Sequence, residues 1–162
     1  MASLSQTVVK LAQTHQISAL NISGGEPMEQ AVSLKAALTI IRHQGIHDIL
    51  VYTGFWAKDL LERHDWLPDL VSALVDGPYE ARNPSPEIFR GSTNQNLWLF
   101  DSTLASLYQT WSRQTKRQAQ ILALKCQIRL LGVLGPHDYE PVAAAIDQLA
   151  SPPRDVSTGI DG

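Results

Sequence analysis

An α/β protein, with a parallel sheet flanked by helices, is the fold class this sequence predicts, and three observations predict it. Short apolar runs recur at 17–22 (ISALNI), 47–52 (HDILVY) and 70–75 (LVSALV). They lack the apolar–polar alternation of a half-exposed strand, as expected of strands covered on both faces. Each is followed by glycine, at Gly24–Gly25, Gly54 and Gly77, and segments with helical spacing separate them. That rhythm of strand, loop and helix is the mark of βα units.

Taken in order, residues 5–13 place Val8, Val9 and Leu11 among polar residues and predict a short helix. The 17–22 strand runs into Gly24–Gly25, and Pro27 stands where a helix begins, because the first helical turn tolerates proline. Residues 28–43 carry Ala31, Leu34, Ala37, Leu38 and Ile41 on one helical face, and Gly45 closes that helix. After the 47–52 strand, residues 58–63 predict a short helix and 70–75 a third strand, stopped by Asp76–Gly77–Pro78. Pro84, Pro86 and Gly91 make 83–96 a long loop, and loops of that length inside a compact domain are often functional. A further strand is read at 97–100 and a helix at 103–117. Residues 118–134 read as two strands, QAQILAL and IRLLGVL, turning at 125–127, with one helix as the other reading. A last helix is expected at 137–150. The domain is taken as 1–150, with 151–162 a disordered tail.

Composition narrows the function. The chain has 162 residues, 44% of them apolar and 18% charged, enough to build a core. Its formal net charge of -3 and scattered basic residues argue against a nucleic-acid partner. No run approaches the roughly 18–20 apolar residues that cross a bilayer. The N-terminus lacks the basic and apolar regions of a secretory signal, so a cytoplasmic location is expected. One cysteine, Cys126, excludes an internal disulfide framework.

ISGGEPMEQ, at 22–30, is the most informative string. It sets two glycines at the C-terminal end of a buried strand, where α/β folds bind ligands. Glycine lets a ligand approach the backbone with no Cβ in the way. Glu26 adds a carboxylate that suits an ammonium group and would repel a phosphate. Gly-Gly alone favours an ordinary strand-to-helix turn over a ligand loop. The longer string resembles the SGGEP motif of radical S-adenosylmethionine enzymes. VYTGF (51–55), LVDGPY (74–79) and RGSTNQ (90–95) follow in the same order as in the activating enzymes of anaerobic ribonucleotide reductase and of pyruvate formate-lyase. The resemblance runs over about 17–97 and extends loosely to GVLGP at 132–136.

What it implies is a partial parallel (β/α) barrel of the radical S-adenosylmethionine type, lacking its first βα unit. Ser23, Gly24, Gly25, Glu26 and Pro27 would hold the amino group of S-adenosylmethionine. Thr53 and Asp76 would lie at the barrel mouth beside it. Arg90, Ser92, Asn94 and Gln95 would order a loop near the cofactor or the partner, and Asn94 is counted among the cofactor-binding residues. In the family a 4Fe-4S cluster, reduced by a flavodoxin or ferredoxin-type donor, cleaves the cofactor to a 5′-deoxyadenosyl radical. That oxidoreductase chemistry abstracts hydrogen from a glycine of a glycyl-radical enzyme, here one like anaerobic ribonucleotide reductase.

One departure stands against this. The family's C-x3-C-x2-C cluster motif lies upstream of SGGEP, and no cysteine precedes residue 126 here. Three cluster ligands cannot come from Cys126 alone. Either the chain is a piece of a longer protein, or it is a shortened, non-catalytic relative that binds S-adenosylmethionine or the partner without a cluster. The close retention of the other motifs favours the first. So does the apolar edge that ISALNI would expose, for which residues 1–15 do not read as a cover. Catalytic residues are not assigned, and no metal-ligand set is read. His43 and His47 have helical metal-pair spacing, but Gly45 ends the helix between them.

Overall fold

The computed structural model describes residues 3–112, the backbone of 120–124 and 127–131, and the single residue Ala144. The chain divides into two compact units, Met1–Thr115 and Lys116–Gly162.

The first unit opens with α1 (Leu4–His15). Ser3 starts it through a capping box: its hydroxyl accepts the Gln6 N–H, and the Gln6 side chain accepts the Ser3 N–H. Gln16 ends it in the left-handed conformation, φ 53°. β1 (Ala19–Ile22) leads through the glycines into a 3₁₀ turn (Pro27–Gln30) and α2 (Ala31–His43). β2 (Asp48–Tyr52), α3 (Ala57–Arg63), α4 (Leu67–Leu70), β3 (Ala73–Asp76), β4 (Asn96–Leu99) and α5 (Ala105–Ser112) follow.

The sheet order is β1-β2-β3-β4; the first three strands run parallel, and β4 joins β3 antiparallel. The sheet is therefore mixed, where the sequence predicts a parallel one. The third strand also starts later than 70–75 predicts. Val71 N–H still bonds to Leu67 O, extending the helical turn of α4. The Ser72 hydroxyl then donates to His47 O and accepts from Ile49 N–H, beside the backbone bond from Ser72 N–H to Ile49 O.

Apolar burial on both faces explains the unalternating runs of β2 and β3. β1, read from the sequence as buried, instead has Ala19 and Asn21 exposed and Leu20 and Ile22 half-buried, because it lies at the margin of the described sheet. Ile49, Val51 and Leu74 face one side and join Leu38 and Ile41 of α2, Leu60 of α3 and Leu67 of α4 in the larger core. Leu50, Ala73 and Val75 face the other and pack with Tyr108 of α5, alongside Tyr52, Phe89 and Leu97. At roughly 1.5–3 kcal/mol for each fully buried aliphatic side chain, these two layers hold β2 and β3 at the centre. α1 does provide cover: Val8 and Val9 pack on the larger core, and Ser5 and Ala12 are buried. They cover the face of the sheet, while the outer edge of β1 pairs with no strand among the described residues.

In the second unit, β5 (Gln120–Leu124) and β6 (Gln127–Leu131) form an antiparallel pair, as QAQILAL and IRLLGVL predict. The turn at 125–126, the 113–117 part of the expected helix, the 137–150 helix apart from Ala144, which is helical, and the 151–162 tail lie outside the described residues.

Candidate functional site

Three strand ends meet at one place. An open cavity of about 270 Å³ is lined by Gly24, Gly25 and Glu26 after β1, by Tyr52, Thr53 and Gly54 at the end of β2, and by Gly77, Tyr79 and Gln95 beyond β3. Gly24 and Gly25 hold φ of +88° and +57°, a region that side-chain-bearing residues rarely adopt. No atom would lie within 4 Å of a Cβ at either position, so the backbone of this loop is open to a ligand.

Glu26 builds the site. Its Oε1 accepts the Thr53 hydroxyl at 2.7 Å and the Met28 N–H at 2.9 Å. Its Oε2 accepts the Gly54 N–H at 2.8 Å. One carboxylate thus caps the 3₁₀ turn that begins at Pro27 and ties the first strand-end loop to the second. Thr53 passes the connection on, its hydroxyl accepting the Phe55 N–H at 3.2 Å. Each carboxylate oxygen has two lone pairs, so Oε2, with one donor, retains acceptor capacity toward the cavity.

Asp76 does not line the cavity. It is 2% exposed, its Oδ2 accepting the Ala57 N–H at the start of α3 and its Oδ1 accepting both the backbone and side-chain N–H of Asn96. Its placement is that of a brace linking β3, α3 and β4. Ser23 and Pro27 flank the lining residues, and Pro27 is buried at the start of the 3₁₀ turn.

Asn94 also stands off the lining, donating to Pro78 O at 2.7 Å. Its Oδ1 is buried with no hydrogen-bond partner, an acceptor left open one residue before the lining Gln95. Gln95 organises the loop that follows. Its Oε1 accepts the N–H groups of Gly91 and Ser92, and its Nε2 donates to Gly77 O at 2.9 Å. Arg90 bonds to Gln95 O and pairs with Glu87. The Ser92 hydroxyl accepts the Glu80 N–H.

Tyr52 and Tyr79 were not singled out from the sequence, yet both line the cavity. Their signal lay inside the quoted strings VYTGF and LVDGPY, immediately before Thr53–Gly54 and immediately after Gly77–Pro78. Burial of Tyr52 pushes its hydroxyl pKa above the ordinary value, so it stays a neutral donor and acceptor.

Comparison with known proteins then decides the family. The 4Fe-4S single cluster domain matches residues 1–98. The chain belongs to the 4Fe-4S single cluster domain family. It is 29% identical over 86 residues to the anaerobic ribonucleoside-triphosphate reductase-activating protein of Enterobacteria phage T4, covering 51% of this chain and 53% of that protein. It is 31% identical over 86 residues to the protein of the same name from Vibrio cholerae, covering 50% and 55%. The chain spans about half the length of the curated relatives it matches. No solved structure matches it. Both relatives carry the name of the activating proteins whose motifs the four strings resemble.

The family's cluster finds no ligands among the described residues, where no group of three or more His, Cys, Asp or Glu side chains is placed to hold a metal. With one cysteine in 162 residues, cluster ligands would have to come from outside this sequence. No described helix is long and apolar enough to cross a membrane.

Proposed function

We propose that this chain forms the S-adenosylmethionine-holding and partner-facing part of an activating protein for a glycyl-radical enzyme of the anaerobic ribonucleotide reductase kind. The observation that carries the reading is the Glu26 carboxylate, which locks two glycine-bearing strand ends around an open cavity. The donor set suits the amino-acid end of S-adenosylmethionine. Glycine carbonyls and the Glu26 carboxylate offer acceptors to its ammonium group. At about 270 Å³ the cavity lies just under the roughly 300–1,000 Å³ of a complete small-molecule pocket, so it takes part of the cofactor. The fold belonging to this reading is a partial (β/α) barrel of the radical S-adenosylmethionine type, with Ser23, Pro27, Thr53 and Asp76 shaping the cavity.

In such a protein, cofactor and cluster together supply the hydrogen-abstracting chemistry, with electrons from a flavodoxin or ferredoxin-type donor. This chain's own residues bind and orient: Glu26 and Thr53 fix the ammonium end, and Gln95 holds the 83–96 loop beside the entrance. The single cysteine favours a second reading, a non-catalytic relative that binds the cofactor or the partner without a cluster.

Titration calorimetry of S-adenosylmethionine against the full chain tests the shared part. Saturable binding is expected, weakened about tenfold by Glu26→Gln, a loss near 1.4 kcal/mol. No binding by a folded chain overturns the proposal. Intact mass and iron content of the protein isolated anaerobically from its native source separate the two readings. A heavier species with about four irons, one cluster, marks the activase; the bare 17.9 kDa chain without iron marks the binding relative.

A further inference from the structure

A second cavity lies at the other end of the same strands. It measures about 220 Å³ and opens between β1, the start of β2 and α5. Ala19 and Asp48, paired in register as the first residues of β1 and β2, form its floor, with Asn21 beside them. Phe89, Tyr108 and Trp111 form its walls. The rings of Phe89 and Trp111 lie nearly parallel, 12° apart with centroids 6.5 Å apart, and Phe89 meets Tyr108 at 5.2 Å. Trp111 is 47% exposed, so the aromatic wall is open to solvent.

Asp48 supplies the chemistry. Its Oδ1 accepts the Tyr108 hydroxyl at 2.6 Å, and no described residue bonds to its Oδ2. Among the described residues the one ion pair is Arg90–Glu87, so no described cation neutralises Asp48. Among the described residues this half-buried carboxylate has one neutral donor, so its oxygens keep acceptor capacity toward the cavity. Aromatic faces attract cations, and a planar guanidinium can stack on them while its N–H groups reach a carboxylate.

We propose that this cavity is a guanidinium site that accepts an arginine side chain, free or carried by an extended peptide. Its size suits one side chain and falls well short of the roughly 300–1,000 Å³ of a cofactor pocket. The peptide source has a physical basis. Among the described residues β1 is the edge of the sheet, and a strand added there would have alternate side chains pointing to the same face as Ala19 and Asn21, the face on which the cavity opens. The small Ala19 leaves the way to Asp48 clear. The site is independent of S-adenosylmethionine binding and of the iron-sulfur cluster.

The test titrates the full chain with Nα-acetyl-arginine amide and with its citrulline analogue, which has nearly the same shape and no charge. Arginine should bind saturably and citrulline about tenfold more weakly, a difference near 1.4 kcal/mol. Asp48→Asn keeps an acceptor for Tyr108 and removes the charge, so it should abolish the preference for arginine. Trp111→Ala, at an exposed position, should weaken arginine binding several-fold and keeps the test open if the Asp48 variant fails to fold. Equal binding of the two ligands, no arginine binding, or full binding by a folded Asp48→Asn chain overturns the proposal. A hexapeptide with central arginine separates the sources. Tighter binding with slowed amide exchange in β1 identifies an added strand, and affinity equal to the capped amino acid identifies the free side chain.

Discussion

At the C-terminal ends of the strands, Glu26 and Asp76 each accept three hydrogen bonds from backbone and side-chain donors. At the N-terminal end of β2, Asp48 accepts one, from Tyr108. All three are carboxylates at strand ends of one sheet, yet buried Asp76 is used up in building loops, Glu26 builds loops and keeps acceptor capacity at Oε2 on the cavity, and Asp48 has one described donor. A buried carboxylate ringed by donors fixes backbone and leaves little for a ligand. One with a single neutral donor keeps its charge to offer. The upper end is thus a rigid frame around open glycine backbone, and the lower end is a charged recess with aromatic walls.

Breaking the frame at its most buried point should cost most. Asp76→Ala strands the N–H groups of Ala57 and Asn96, and should lower unfolding free energy by about 3 kcal/mol, read as a fall in the urea midpoint. Gly77→Ala comes next, at about 2 kcal/mol in the same measurement. Its φ of +91° is strained for alanine, and a Cβ there would stand 2.7 Å from the Trp56 ring. Glu26→Gln should cost about 1.5 kcal/mol, because one end of the amide must present N–H to a donor.

The lower end should respond more weakly and chiefly to pH. Tyr108→Phe should cost about 1 kcal/mol by removing the bond to Asp48. Burial, followed by the hydrogen bond to Asp48, raises the Tyr108 pKa above 10.0, and burial raises that of Tyr52. Below pH 10 both rings are protonated, folded or unfolded, and contribute fully. Above it the unfolded chain loses protons that the native state retains, so stability should fall as pH rises past 10. Tyr108→Phe should flatten that alkaline decline in a series of urea midpoints. A decline equally steep in the variant would place its origin elsewhere.

The sequence made the strands legible because β2 and β3 are apolar on both faces, and made the cavity legible because its glycines and Glu26 sit together in one string. It was silent where a side chain adds to backbone pairing. Nothing in LVSALV shows that Ser72 will hold His47 O and Ile49 N–H and delay β3 until Ala73. The direction of β4 was equally hidden, since an apolar run of four residues is the same in either sense. Asp76 shows the same limit in the site: a motif marks that a residue is required, and the three donors around it show for what. Tyr52 and Tyr79 stood inside the quoted strings without a role, because a motif shows which residues recur together and not which of them face the cavity.

The loop after β3 carries one more consequence. The single side-chain amide of Gln95 grips the chain at Gly77, Gly91 and Ser92, measuring the loop as a clasp measures a cord. Outward residues such as Arg82 and Thr93 are free to drift over evolutionary time, but the spacing between Gly91 and Gln95 is not. Related chains should therefore differ in the letters of this loop far more readily than in the number of residues between those two points.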